Sequence, residues 1–238
     1  MNARGSELIV LESNLHGLPK LDKSEKHIRK IFKITNVTAK RGLDLIAGIT
    51  GIITLIPIII FVTIVKIVSN DKGPMFFVQE RIGKEGKKFK MYKFRTMALN
   101  ADEILFKMLA ENEEMRKEYE EYKKLKNDPR ITKIGKFLRK TSLDEFPQFI
   151  NVIRGEMSLV GPRPYLPREK DDMQNAYDYI IEVKPGLTGL WQVSGRNESS
   201  FRERLELDIE YYYRHSFKYD IKLLIKTVFQ LIKRQGAM

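Results

Sequence analysis

Thr141 to Pro164 reads TSLDEFPQFINVIRGEMSLVGPRP and sets two carboxylates, Asp144 and Glu145, side by side. Arg139, Lys140, Arg154 and Arg163 stand around them. A carboxylate at a helix start beside arginines has its charged form stabilised, so this pair is expected to be ionised at neutral pH. An ionised carboxylate is a nucleophile toward phosphorus. It is also a hard oxygen ligand for Mg²⁺, an ion that favours phosphates. Arginines supply two-pronged clamps for a diphosphate. Acid pair, arginines and a phosphate-seeking surface together make a phosphoryl-transfer kit. The same letters have a plainer reading. Ser142-Leu143-Asp144-Glu145 matches the S-x-x-E capping box, and Pro147 is tolerable in a first turn, whose amides lack intrahelical partners. Local sequence alone favours the cap; the basic surroundings favour chemistry.

The 238-residue chain carries a formal charge of +12, which points to phosphate in a nucleotide, an anionic lipid or a nucleic acid. It has no cysteine, so disulfides and cysteine-ligated zinc are excluded. His16, His27 and His215 lie far apart, fit no metal spacing and read as surface residues.

Met1 to Lys20 has no sustained apolar core, so no targeting signal is expected there. The hydrophobic feature comes later: Leu43 to Val68 contains no charged side chain between Leu45 and Val65. Such a run is long enough to cross a bilayer as a helix, and a buried core helix of that length would usually carry a polar face. Pro57 falls inside it. Either the helix is kinked and spans the membrane, or it is a re-entrant helix–break–helix that enters and leaves by one face. Lys40 and Arg41 before the run and Lys66 and Lys72 after it give no charge asymmetry, and composition leaves both readings open. Asp44 is expected to pair with Arg41 on one helix face.

The elements that must position the acids follow from pattern. PMFFVQERIG and KKFKMYKFRTM flank Lys84-Glu85-Gly86 and predict a β-hairpin. Ala98 to Lys126 predicts one solvated helix, stopped at Asn127-Asp128-Pro129, and Lys133 to Lys140 a short basic one. Phe146, Phe149, Ile150 and Ile153 recur at helical spacing, with Gly155 ending that helix. Asp171 to Val183 predicts another helix, Gly186 to Asn197 a loop, and Ser199 to His215 a helix rich in charge and tyrosine. The last helix, from Tyr219 to Arg234, sets Ile221, Leu224, Ile225, Val228 and Ile232 on one face, to lie in a lipid interface or to pack on the core. Met1 to Thr38 is a polar arm with a short basic helix from Lys23 to Ile34.

These pieces, in this order, resemble the bacterial sugar transferases, the monotopic phosphoglycosyl transferases that start exopolysaccharide, O-antigen and capsule repeats. The matching segments are KRGLDL, FVQERIGKEGKKFKMYKFRTM, KNDPRITKIGKFLRKTSLDEFPQFINVIRGEMSLVGPRP and VKPGLTGLWQVSGRN, and the likeness covers roughly residues 39 to 236. It implies transfer of a sugar-1-phosphate from a UDP-sugar to undecaprenyl phosphate, in two steps. Asp144 attacks the β-phosphate, UMP leaves, and the lipid phosphate takes the sugar phosphate from the aspartyl intermediate. Glu145 completes the dyad, and Mg²⁺ sits beside Asp144. Arg139 and Arg163 hold phosphates, joined by Lys93 and Arg95 of KFRTM, while Gln192 and Arg196 become sugar- or nucleotide-side contacts. The likeness is to hexose-1-phosphate transferases, hence UDP-galactose or UDP-glucose.

The resemblance further implies a re-entrant helix broken at Pro57 with both ends cytoplasmic, in the bacterial inner membrane. Ile56-Pro57 departs from the Ser-Pro of many members, so the serine that could satisfy freed backbone groups is missing. The chain resembles the minimal catalytic form. The expected fold is α+β, mainly helical: a polar arm over residues 1–38, a re-entrant membrane helix over 39–69, and a cytoplasmic catalytic domain over 70–238 with a short hairpin and interfacial amphipathic helices. Expected partners are the UDP-sugar donor, the undecaprenyl phosphate acceptor and the membrane, with no nucleic acid and with a homo-oligomer left open. The competing reading is a membrane-anchored scaffold or anionic-polymer binder in which the acids only cap a helix.

Overall fold

The computed structural model describes residues 34–194 and 199–233. Most of the N-terminal arm, with the basic helix expected there, and Arg196 lie outside the described residues. The first element is α1, Ile34–Val68, a 35-residue helix about 50 Å long at 1.5 Å per residue. Among the described residues it alone is long and apolar enough to cross a membrane. It runs unbroken through Pro57, so the expected division into two helices is not seen. Leu55 before the proline and Ile58 and Val62 after it are buried in one cluster with Phe94 and Leu138. That shared packing carries the helix across the missing hydrogen bond.

One side of α1 is committed to the rest of the molecule. Asp44, Gly48, Gly51, Leu55, Ile58 and Val62, spaced by three and four, are buried. Ile46, Ile49, Ile53, Ile56, Ile60 and Ile64 stay exposed. The first turns are tied down by polar contacts. Lys40 Nζ lies 2.5 Å from Asp220 Oδ2 and 2.8 Å from the Val160 carbonyl. Arg41 donates to the carbonyls of Val152 and Ile153, at 2.7 Å each. Asp44 Oδ1 accepts from Ser158 Oγ and the Leu159 amide. The expected Arg41–Asp44 pair is thus replaced: each answers a different backbone segment, because buried carbonyls and amides there need partners.

The hairpin forms as expected, from β1, Phe76–Ile82, and β2, Lys88–Phe94, with Phe77 opposite Lys93 and Arg81 opposite Phe89. Opposite residues share a face and every second residue repeats it, so Lys93 and Arg81 stand on one face. The solvated stretch is two helices, α2, Ala101–Glu111, and α3, Glu113–Tyr122. Asn112 divides them: its side chain accepts from the Met115 amide and starts the second helix afresh. Next come α4, Lys133–Lys140, a 3₁₀ turn, Leu143–Gln148, and α5, Phe149–Arg154, which Gly155 ends at φ 77°. β3, Ser158–Val160, follows.

The single helix expected over Asp171 to Val183 is broken into α6, Lys170–Met173, and α7, Ala176–Ile180, by Gln174 at φ 49°. The expected glycine-rich loop holds β4, Gly186–Thr188, parallel to β3, and α8, Leu190–Ser194. The pairing of Ser158 with Gly186 joins segments far apart in the chain, which local pattern cannot reveal. α9, Phe201–Arg214, opens with a capping box at Ser200, and α10, Phe217–Lys233, closes the described chain. α10 packs on the core through Leu223, buried beside Val160 and Leu190, while Ile225, Val228, Phe229 and Ile232 are exposed. His215 is half-buried rather than on the surface, with Nδ1 2.5 Å from the Tyr212 carbonyl.

Contact between α1 and α5 depends on missing side chains. A Cβ on Gly51 would fall 2.3 Å from the Phe149 ring, whereas one on Gly42 would meet nothing within 4 Å. Gly51→Ala is therefore expected to cost about 1–3 kcal/mol by overpacking. Gly42→Ala should instead gain about 0.5–1 kcal/mol from helix propensity. Thermal unfolding of the two variants in one detergent checks both signs.

Candidate active site

The acid pair sits where α4 turns into the 3₁₀ segment. Ser142 takes a left-handed conformation, φ 56°, and its side chain makes no capping hydrogen bond. The capping-box expectation fails for that reason: a left-handed residue at this corner does not aim its hydroxyl at the following amides. The turn instead buries Asp144, at 8% exposure, along with Pro147 and Gln148.

The two carboxylates differ. Glu145 is ion-paired, its Oε1 2.9 Å from Lys93 Nζ on β2. Asp144 receives no side-chain hydrogen bond among the described residues. Burial, then the neighbouring Glu145 charge, push Asp144 up to about 6, against the pull of Lys93 and Arg139. The surrounding cations are expected to dominate, but burial outweighs them. Arg139 donates Nε to Thr96 Oγ1 at 3.0 Å, and burial lowers its pKa although Asp144 supports its charge.

Asp144, Glu145, Lys93 and Arg139 therefore come together. Arg95 does not join them. It makes a two-pronged pair with Asp71 and donates to the carbonyls of Pro74 and Met97, so it holds the segment after α1. Arg163 lies on a different segment, its guanidinium 5.6 Å from the Trp191 ring and 5.9 Å from that of Tyr165. Gln192 donates to the Leu187 carbonyl at 3.3 Å, and its Oε1 is buried without a partner.

Asn151 escaped the sequence reading. Fully buried, it donates to the Lys90 carbonyl and to Glu156 and accepts from the Tyr92 amide. This fixes β2, and with it Lys93, against the helix that follows the acid pair. The one signal available was an amide among the apolar residues of that helix.

Among the described residues no three metal-ligating side chains cluster. A carboxylate pair still fits Mg²⁺, which commonly takes one or two carboxylates with substrate phosphates and water. Burial first, and then the Glu145 charge, raise Asp144, and a bound cation would relieve the second of these.

The family model for bacterial sugar transferases matches residues 35–234. The chain belongs to the bacterial sugar transferase family. It is 49% identical over 174 residues to a UDP-galactose-lipid carrier transferase of Erwinia amylovora, covering 73% of this chain and 36% of that protein. It is 47% identical over 170 residues to an undecaprenyl-phosphate galactose phosphotransferase of Salmonella typhimurium, covering 71% and 36%. It is 42% identical over 168 residues to the exopolysaccharide production protein ExoY of Sinorhizobium fredii, covering 71% and 74%. The chain thus spans about a third of the length of the first two relatives and three quarters of the third. Family membership, with the apolar α1, makes this a membrane-associated protein.

The raised pKa of Asp144 carries a stability consequence. Its folded value lies above the unfolded 3.8, so the folded state holds the proton more tightly. Ionisation then lowers stability as pH rises from about 4 through about 6, by up to about 3 kcal/mol. Asp144→Asn removes that cost, so it should unfold at a higher temperature than wild type at pH 7.5, with the difference shrinking at pH 4.5. Thermal scans at the two pH values check this.

Proposed function

We propose that this sugar transferase is a phosphoglycosyl transferase that moves a hexose-1-phosphate, galactose or glucose, from a UDP-sugar to undecaprenyl phosphate. This would be the first step in assembling an exopolysaccharide, O-antigen or capsule repeat. The UDP-galactose-lipid carrier transferase and the undecaprenyl-phosphate galactose phosphotransferase support the donor and acceptor, and the exopolysaccharide production protein supports the pathway. The observation that carries the chemistry is the difference between the two carboxylates. Glu145 is held by Lys93, whereas Asp144 is buried and, among the described residues, has no side chain bonded to it.

An Asp144 oxygen attacks the β-phosphorus of the donor. The new O–P bond forms as the bond to the bridging oxygen breaks, and the electron pair leaves on UMP. An oxygen of the lipid phosphate then attacks the same phosphorus and returns the carboxylate, with no net proton needed in either step. Lys93 orients Glu145, and Arg139 offsets charge on the phosphoryl group beside Asp144. Asp144, with Glu145 beside it, would hold Mg²⁺, which would supply charge neutralisation for the phosphate oxygens.

The protein sits in one leaflet of the bacterial inner membrane, with residues 70–238 as the catalytic domain on the cytoplasmic side. What supports this is the stripe from Asp44 to Val62, which keeps the domain against α1 over about 27 Å. A helix crossing along the bilayer normal would drag the acid pair into hydrocarbon. Entry and exit by the same face avoids that, and would require α1, unbroken through Pro57 in this structure, to bend there in a bilayer.

Intact mass of the purified protein, given Mg²⁺ and UDP-sugars without acceptor, tests the two-step scheme. Wild type is expected to gain a hexose-phosphate, Asp144→Asn to gain none, and adduct formation to slow about tenfold per pH unit well below about 6. Glycosylated undecaprenyl phosphate with no adduct from any donor would replace the scheme by direct transfer.

A further inference from the structure

A second group of cations stands one step from the acid pair, and the chemistry above leaves it without a task. Arg81 shares the inner face of the hairpin with Lys93. Its Nη1 donates to the Pro164 carbonyl at 2.9 Å, and the next amide, of Ile82, donates to the Tyr165 carbonyl at 2.9 Å. The hairpin is thereby fastened to the segment that carries Arg163. The Arg163 guanidinium makes no hydrogen bond among the described residues and lies against the Trp191 and Tyr165 rings. Its backbone amide donates to Asp208 Oδ2, which also accepts from the Tyr165 hydroxyl, so this segment is fixed from α9.

Behind them Arg204, 1% exposed, donates to the carbonyls of Ser200 and Tyr122. Arg81, Arg163 and Arg204 enter no ion pair among the described residues. Nε of Arg81 and Nε of Arg163 are buried without an acceptor. Arg163 lies close enough to lower the pKa of both Arg81 and Arg204, and Glu145 close enough to support the charge of Arg81. Buried Glu169 supports the charge of Arg81 and Arg204, and Asp208 that of Arg204, but neither is ion-paired to a guanidinium among the described residues, and guanidiniums drawn together with donors left over describe a site that can take an anion.

We propose that Arg81 and Arg163 grip the phosphate of the leaving nucleoside monophosphate, with Arg204 adding charge from behind. This deepens the transferase reading and rests on it for the identity of the anion. The chemistry selects that anion. When the bond between the phosphates breaks, the leaving phosphate gains a full negative charge. Lys93 and Arg139 stay beside the carboxylates, so the new charge needs cations of its own. Arg81, half-buried, shares the hairpin face of Lys93 and reaches the Arg163 segment at the Pro164 carbonyl, so it joins the two groups. Arg204 gives Nε and Nη2 to backbone carbonyls and acts at a distance, as a positioning residue.

The test is direct binding of UMP, by calorimetry on the full chain in detergent, to wild type, Arg81→Gln, Arg81→Lys and the exposed control Lys72→Gln. Arg81→Gln is expected to weaken UMP by tenfold or more, from loss of a charge-assisted contact. UMP inhibition of transfer should weaken by the same factor, with Arg81→Lys intermediate and Lys72→Gln unchanged. Circular dichroism confirms that the variants are folded. UMP bound equally by wild type and Arg81→Gln overturns the proposal. So does a rise in KM for a short-chain polyprenyl phosphate with UMP inhibition unchanged, since the site would then hold the acceptor. Because UMP binding needs no turnover, a protein that binds UMP through Arg81 but forms no product separates failure of the transferase reading from failure of this one.

Discussion

The stripe on α1 from Asp44 to Val62 lies against the segment bearing Asp144, so a single helix packing sets how the acid pair sits relative to a bilayer. Gly48 and Gly51 let the helix approach until Ile153 and Phe149 fill the space their side chains would take. At one end Lys40, Arg41 and Asp44 bond to β3, α5 and α10 through groups that have little other recourse. Farther along, Leu55, Ile58 and Val62 share a cluster with Leu138 of α4 and Phe94 of β2. Both walls of the site, the hairpin and the 3₁₀ turn, thus rest on the same helix.

That arrangement gives the acid pair its asymmetry. A buried carboxylate with no side-chain donor is costly to ionise, and Asp144 shows the cost as a raised pKa. Glu145, one residue on, reaches a lysine and is partly exposed. Two neighbouring acids therefore have different characters, one buried with a raised pKa and one anchored by a lysine. The destabilised carboxylate is the kind of strain an active site retains because its chemistry uses it.

Much of this was legible in sequence. The hairpin was written in alternating β-formers around Lys84-Glu85-Gly86, and α4 was correct to the residue. Where readings failed, tertiary contacts had overruled local ones. Ser142-x-x-Glu145 spells a cap, but the chain turns left-handed at Ser142 and buries the aspartate instead. Arg41 and Asp44 have helix-pair spacing, but unpaired carbonyls and amides of other segments claim them. Arg95 belongs to a family motif, but Asp71 holds it away from the acid pair. β4 was hidden in a glycine-rich stretch because its partner strand lies far back in the chain. Asn151 and Arg81 carried no local signal; their roles come from what the hairpin brings to them.

The measurement that reaches the central claim most directly is borohydride trapping after brief exposure to the productive UDP-sugar, followed by peptide sequencing by mass spectrometry. Hydride reduces an acyl phosphate to an alcohol, so a phosphosugar carried on Asp144 should leave homoserine at position 144, dependent on donor and Mg²⁺. 5-Hydroxynorvaline at position 145 instead, the reduction product of a glutamyl phosphate, or an unmodified Asp144 in protein that bears the adduct, would contradict the assignment of the buried carboxylate as nucleophile.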